Sequence, residues 1–208
     1  MALIDKLFKS RKTILDMVNE RGHTTTGFHN YSLNEIEIMY SNHSKNSKDI
    51  SPLDITINSS NTLFIKYMLT PRIRISNIQT VIDAIIENYS ENDTIILIIK
   101  DKISSESVLE DYFEKIYKQT KIFIQCFYLD TLTFNVSKHN MVPKHEILSK
   151  EDTTKLVNGL HILSINKLPK IKKTDPIAKY HGMKINDVCR ISRTSETTGV
   201  YYYYRLCE

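Results

Sequence analysis

The 208 residues include no tryptophan, five glycines, five prolines and three cysteines. Each shortage closes off a class of chemistry. With so few glycines there is neither a GxGxxG nor a GxxxxGK segment, and hence no glycine-lined phosphate loop. Cys126, Cys189 and Cys207 are odd in number and show no CxxC spacing. That pattern excludes a disulfide framework and the common zinc spacings, and implies free thiols in a reducing compartment. The longest aliphatic run, Ile95-Ile96-Leu97-Ile98-Ile99, falls far short of the roughly 18 apolar residues of a membrane span. At the N-terminus, MALIDKLFKS carries charges at Asp5, Lys6 and Lys9. They interrupt any apolar leader core, so no secretory signal is expected.

What is present is ordinary globular material, 41% hydrophobic and 25% charged, in a length that suits one large domain or two small ones. Such a chain buries enough apolar surface to fold without disulfides or metals. The net charge of +4 is unevenly spread. Residues 1–137 hold 15 Lys and Arg against 17 Asp and Glu, a net −2, whereas residues 138–208 hold 13 against 7, a net +6. A basic C-terminal part calls for an acidic partner, either nucleic acid or another protein's acidic face. Abundant Ile, Asn, Lys and Tyr with scarce Ala and Gly suggest an A+T-rich genome.

Apolar residues at helical spacing predict a helix over residues 3–21, stopped by Gly22, and a shorter one after Ser32. Leu53 to Ile57 alternates with period two and reads as a strand, as does Thr62 to Leu69, with Ser59-Ser60-Asn61 as the turn between them. Ser76 is placed to cap a helix running to Tyr89. A strand over 94–100 follows, then a helix over 104–119 with Val108, Leu109, Phe113, Ile116 and Tyr117 as its buried stripe, then a strand over 121–129. This alternation predicts a small α/β layer domain with a mixed sheet flanked by helices. Near Ser137 the alternation stops and basic residues concentrate, which puts a domain boundary there: 1–137, then a compact α+β domain at 138–208. The fold class is α/β, or α+β taken as a whole.

The second part contains HNMVPKHEIL at 139–148, LPKIKKTDPIAKYHGMKINDVCRI at 168–191 and RTSETTGVYYYYRL at 193–206. Asp175-Pro176 is a helix start, because Asp accepts the free first-turn amides and Pro fits where no donor is needed. Gly182 suits the left-handed residue that ends the helix. SETTG joins two strands as a hairpin, and Tyr201 to Tyr204 alternate faces, so that two of them pack inward and two face out beside Arg190, Arg193 and Arg205. The patterns VPKH, LP-I---DP-A-Y-G and R-SET-G--Y-YR resemble the C-terminal assembly domain of the fifth subunit shared by nuclear RNA polymerases, and the small archaeal polymerase subunit equivalent to that domain.

That resemblance implies a non-catalytic structural subunit with no cofactor, partnered by the largest polymerase subunit, other polymerase subunits and downstream duplex DNA, and not by a membrane. Docking would use Val142, Pro143, Lys144, His145, Leu168, Pro169, Asp175, Pro176, Tyr180, Gly182, Arg193, Ser195, Glu196, Gly199, Tyr204 and Arg205. The first 137 residues match the family's N-terminal jaw in length, first helix and strand order. By position, the jaw's DNA loop is Lys100 to Ser105, with Lys100, Lys102, Ser104 and Ser105 as contacts. The archaeal relatives lack a jaw, so its presence points to a eukaryotic polymerase in the nucleus, or to a large DNA virus acting in virion and host cytoplasm.

Rival chemistries are incomplete. A nuclease needs an acid followed by acid-x-Lys on a central strand; Asp54 and Lys66 are there, but Phe64 and Ile65 stand where the second carboxylate belongs. His139, His145, Cys189 and Cys207 fit no common zinc spacing, and their strands are expected to turn the two cysteines to different faces. Ser195, His181 and Asp175 lack a nucleophile elbow. Lys170, Lys172 and Lys173 read as a solvated face or as the complement of an acidic groove. A free-standing nucleic-acid-binding module remains the alternative function.

Overall fold

The helical stripe beginning at Leu3 folds as α1 (Leu3–Glu20), and its Leu7, Ile14, Leu15, Met17 and Val18 are buried. The structure, a computed structural model, describes residues 2–28, 31–43, 51–58, 61–195 and 199–208. The proposed turn at Ser59-Ser60 and the hairpin tip Glu196-Thr197-Thr198 lie outside the described residues. The chain divides into two compact units, Met1–Phe134 and Asn135–Glu208.

In the first unit α2 (Leu33–Ser41) starts from a reciprocal cap. The Ser32 hydroxyl accepts from the Glu35 amide, and the Glu35 carboxylate accepts from the Ser32 amide. The sheet runs β1-β2-β3-β4, made of β1 (Ile55–Ile57), β2 (Leu63–Met68), β3 (Thr94–Ile99) and β4 (Phe123–Tyr128). β1 is antiparallel to β2, and β2, β3 and β4 are parallel. Parallel neighbours need crossovers, which α3 (Ile75–Ile86) and α4 (Glu106–Thr120) supply. Both crossover helices join one core. Ile78, Val81, Ile82 and Ile85 of α3 and Leu109, Phe113 and Ile116 of α4 cluster with Phe64, Met68, Leu97, Ile99 and Ile124. The opposite sheet face is buried as well, at Ile65, Tyr67, Ile96 and Ile98. The β3 run is therefore apolar because it is covered on both faces.

Three expectations need correction. The first strand is shorter than 53–57, because Leu53 and Asp54 form the turn that leads into it: the Asp54 amide donates to the Ser51 carbonyl at 2.9 Å. Ser76 does not cap α3, which begins two residues earlier than such a cap implies, with Arg74 at the cap position and no side-chain cap. Val108 lies outside the buried stripe of α4, 52% exposed.

The second unit is an α+β layer with the sheet order β5-β7-β8-β6. Its strands are β5 (Lys144–Ile147), β6 (Lys170–Ile171), β7 (Val188–Ser195) and β8 (Gly199–Cys207), with α5 (Lys150–Gly159) and α6 (Pro176–His181). Its interior is divided. Ile171, Ala178, Met183, Cys189, Ile191 and Cys207 form one cluster and Leu168, Val188 and Leu206 another. A fully buried aliphatic side chain contributes about 1.5–3 kcal/mol. The 17 residues of the first unit's cluster therefore outweigh the six and three found here among the described residues. A unit with so thin an interior gains from being held against something else.

Candidate functional site

Around α6 the sequence signals become geometry. The Asp175 carboxylate accepts from the amides of Ile177 (2.8 Å) and Ala178 (3.4 Å), and Pro176 occupies the first helical position. Gly182 ends the helix at φ 69°, ψ 33°, the left-handed conformation expected of it. The helix is thus fixed at both ends, and its last residue, His181, stacks on His145 with ring centroids 6.2 Å apart. The VPKH segment holds that partner in place, because the His145 ring Nδ1–H donates to the Pro143 carbonyl at 2.7 Å. Burial lowers the His145 pKa below its ordinary value, against the opposing effect of that hydrogen bond. The neutral ring is favoured.

His145 pairs with Ile191 in the ladder, and Arg190 with Tyr204. Strand periodicity then places His145, Arg193 and Arg205 with Tyr201 and Tyr203 on one sheet face, and Glu146 and Arg190 with Tyr202 and Tyr204 on the other. Arg193 lies 5.3 Å over the Tyr203 ring and Arg190 5.2 Å over the Tyr202 ring. Arg190 also pairs with Glu146 at 2.8 Å, which lowers the Glu146 pKa. On that second face an open groove of about 420 Å³ is lined by Leu148, Asp152, Lys155, Leu156, Arg190 and Tyr204. The tyrosines do alternate faces, but no pair is buried. Tyr202 and Tyr203 are exposed, Tyr201 is half-buried, and Tyr204 packs partly on the Leu168 cluster. On the β8 side β6 reaches only Leu206 and Cys207, so the edge beside the tyrosines has no neighbouring strand among the described residues, while β5 lies on the far side of β7, opposite Tyr202 to Tyr204.

The interface candidates separate by burial. Lys144, Pro169, Pro176, Arg193, Gly199 and Arg205 are exposed, and Val142, Pro143, His145, Asp175, Gly182, Ser195 and Tyr204 are half-buried. Leu168 and Tyr180 are buried in the unit itself. The Tyr180 hydroxyl is reached by the Asn135 side chain, which donates to it at 3.0 Å. Glu196 lies outside the described residues. The cysteine expectation also changes: Cys189 and Cys207 face the same apolar cluster, where burial raises both thiol pKa values, Cys207 to about 11. Among the described residues no group of three or more His, Cys, Asp or Glu is arranged to hold a metal.

In the first unit, Lys100, Lys102, Ser104 and Ser105 follow β3. Lys100 is half-buried and the other three are exposed, and Ser105 sits at the α4 cap position without a side-chain cap bond. The structure adds Arg72 and Arg74, which sequence reasoning missed. They lie in the loop after β2, beside the loop after β3, because the two strands are parallel neighbours. Asp101 ties the loops together by accepting from the Arg72 amide at 3.1 Å. The signal for this was the PRIR segment at the end of a strand; it becomes informative only once β2 and β3 are known to pair in parallel. Asp54 and Lys66 do come together, at 3.2 Å, but with side chains 1% and 3% exposed they are sealed from any substrate.

Residues 134–207 match the family described as RNA polymerase Rpb5, C-terminal domain. Over its length the chain is 28% identical to DNA-directed RNA polymerases I, II, and III subunit rpabc1 of Dictyostelium discoideum, across 207 residues covering 98% of both chains. It is 47% identical over 73 residues to DNA-directed RNA polymerase subunit Rpo5 of Thermococcus celer, covering 35% of this chain and 88% of that one. The Archaeoglobus fulgidus Rpo5 is 49% identical over 77 residues, covering 36% of this chain and 97% of its own. The archaeal matches take in most of those relatives and about a third of this chain, a share similar to the second unit, where the family match at 134–207 falls. This chain belongs to the Rpb5/Rpo5 family of RNA polymerase subunits.

Proposed function

We propose that the chain is a non-catalytic structural subunit of a multi-subunit DNA-directed RNA polymerase. The second unit docks on the largest subunit, and the first unit contacts downstream duplex DNA during transcription. The observation that carries the docking reading is the archaeal match: relatives named as polymerase subunits are matched over most of their length by about a third of this chain, a share similar to the second unit. The surface there suits a protein partner. Tyr and Arg, which dominate interface energetics, stand together on the hairpin, with Arg193 over Tyr203 and Arg190 over Tyr202.

The DNA role of the first unit is minor. Lys100 and Lys102 with Arg72 and Arg74 line two adjacent loops, but the unit's sequence is weakly acidic in total and each phosphate contact adds only a salt-screened increment. Within a eukaryotic cell this function places the chain in the nucleus. A large DNA virus would place it in the virion and host cytoplasm.

Deletion of residues 168–208 removes β6, α6, β7 and β8. In a polymerase reconstitution this truncation is expected to abolish incorporation, whereas replacing Lys100 and Lys102 by Gln is expected to leave incorporation intact and to weaken DNA retention only mildly. Incorporation of the truncated chain at normal yield would overturn the assignment of docking to the second unit. Tight, salt-sensitive DNA binding by the isolated chain would favour a free-standing nucleic-acid-binding module instead.

A further inference from the structure

The hairpin of the second unit is a full member of its sheet at one end only. β6 pairs with β8 at Lys170–Leu206 and Ile171–Cys207, and β5 pairs with β7 from Cys189 to Ser192. Beyond those pairings Arg193–Ser195 and Gly199–Tyr201 continue as a two-stranded ribbon, and among the described residues β8 has no strand on the side opposite β7 from Gly199 to Arg205. The direction of the backbone groups along β8 follows from its last residues. The Leu206 amide donates away from β7, to the Pro169 carbonyl at 2.8 Å, and the Cys207 amide donates towards it, to the Asp187 carbonyl at 2.8 Å. This direction alternates along an antiparallel strand. The N–H and C=O groups of Val200, Tyr202 and Tyr204 therefore point to the side opposite β7. Among the described residues no strand pairs with them there.

That edge has none of the devices that protect edges. Proteins blunt an open strand with Lys, Pro, a bulge or very short length, but this one reads Val200-Tyr201-Tyr202-Tyr203-Tyr204, a run of strong strand formers. Val200 is 56% exposed and Tyr202 52%. A segment of this kind left open in the working state would invite indiscriminate pairing. Its surroundings also state what would suit it. The described residues of β7 and β8 include Arg190, Arg193 and Arg205 and no acid; Arg190 already pairs with Glu146 of β5, which leaves Arg193 and Arg205, on the face of Tyr201 and Tyr203, to set the charge preference. A strand laid along β8 would place alternate side chains beside Tyr202 and Tyr204 on one face and beside Tyr203 and Arg205 on the other, where the Arg193 guanidinium lies over the Tyr203 ring.

We propose that the open edge of β8 from Val200 to Tyr204 receives an extended, acidic segment of a partner polymerase subunit as an added strand. This rests on the docking reading above and specifies its mode: main-chain hydrogen bonds from Val200, Tyr202 and Tyr204 supply the register, and the arginines select acidic side chains.

The test uses the tagged full-length chain expressed in its native source, with polymerase isolated through the tag and its largest subunit quantified. Tyr202→Pro deletes an outward amide and leaves the amides of Tyr201 and Tyr203, which point to β7, in place. Tyr202→Ala deletes the ring and keeps the amide. The proline variant is expected to lose polymerase recovery by about tenfold, as for one lost edge hydrogen bond that leaves the partner's carbonyl unsatisfied, with the alanine variant losing much less. Equal recovery by the proline variant, or equal loss by both, overturns strand addition while leaving docking intact. Should the proline variant misfold, amide deuterium exchange on the unmutated chain decides. The Val200 and Tyr202 amides are expected to exchange freely in the isolated chain and to become protected within the polymerase. Free exchange inside the complex overturns the proposal. Failure of the unmutated chain to recover any polymerase would overturn the proposed function, and the strand addition with it.

Discussion

Lys66 is an ammonium in the interior of the first unit, 3.2 Å from the Asp54 carboxylate. Asp54 also accepts from the backbone amides of Tyr67 and Ser51, each at 2.9 Å. Removing the carboxylate takes an ion-pair partner from a buried cation and the acceptor from two amides together, whereas removing the ammonium leaves Asp54 with both amides. Asp54→Ala is therefore expected to cost about 3–5 kcal/mol, and Lys66→Met clearly less, measured by urea denaturation at unchanged m-value. Equal costs would show that the backbone bonds to Asp54 contribute nothing. His145 makes a second residue-level prediction. Burial holds its pKa below the ordinary 6.5, so on lowering the pH the unfolded chain takes up the proton first. Its contribution to stability is complete above pH 6.5 and is lost as the pH falls below that value. Denaturation of the wild type and of His145→Gln on either side of that pH should show the variant less acid-sensitive; identical pH dependence would contradict the burial of the ring.

Among the secondary-structure elements, α6 was the most legible. A six-residue helix is too short to be stable alone, so its end signals matter more than its composition, and Asp175, Pro176 and Gly182 each state one. Asp175→Ala is expected to cost about 1 kcal/mol and to loosen the His145–His181 stack, read as a lowered urea midpoint with altered imidazole NMR shifts. A midpoint change without any change at the two rings would separate the cap from the docking face. The hairpin was legible in its strands but not in its burial. Period-two alternation of four tyrosines predicts an inner and an outer pair, yet β6 ends beside Leu206 and leaves the β8 edge uncovered at the tyrosines, with β5 reaching them only from the far side of β7. Ser76 failed as a cap for a related reason. The chain entering α3 is already extended at Arg74, set by the end of β2 and Pro71, so the helix starts before the serine can fold back on it.

At the scale of the molecule, the alternation of strand and helix up to Tyr128 and its loss afterwards reflect two ways of building an interior. The first unit covers a mostly parallel sheet on both faces, which requires long apolar runs such as Ile95–Ile99 and makes them easy to read. The second unit divides a thin interior across an antiparallel ribbon, where short motifs carry the information and periodicity carries little. The adjacency of Arg72 and Arg74 to Lys100 and Lys102 was not legible, because it depends on the parallel pairing of β2 with β3, a long-range choice that local sequence does not specify. The claim on which all of this turns is that the second unit attaches the chain to a polymerase. Gentle purification of the tagged chain from its native source, with the bound proteins identified and their stoichiometry measured, tests it most directly. The expected result is one copy of this chain with one copy of each of the two very large polymerase subunits; a chain recovered alone, or bound only to nucleic acid, would contradict it.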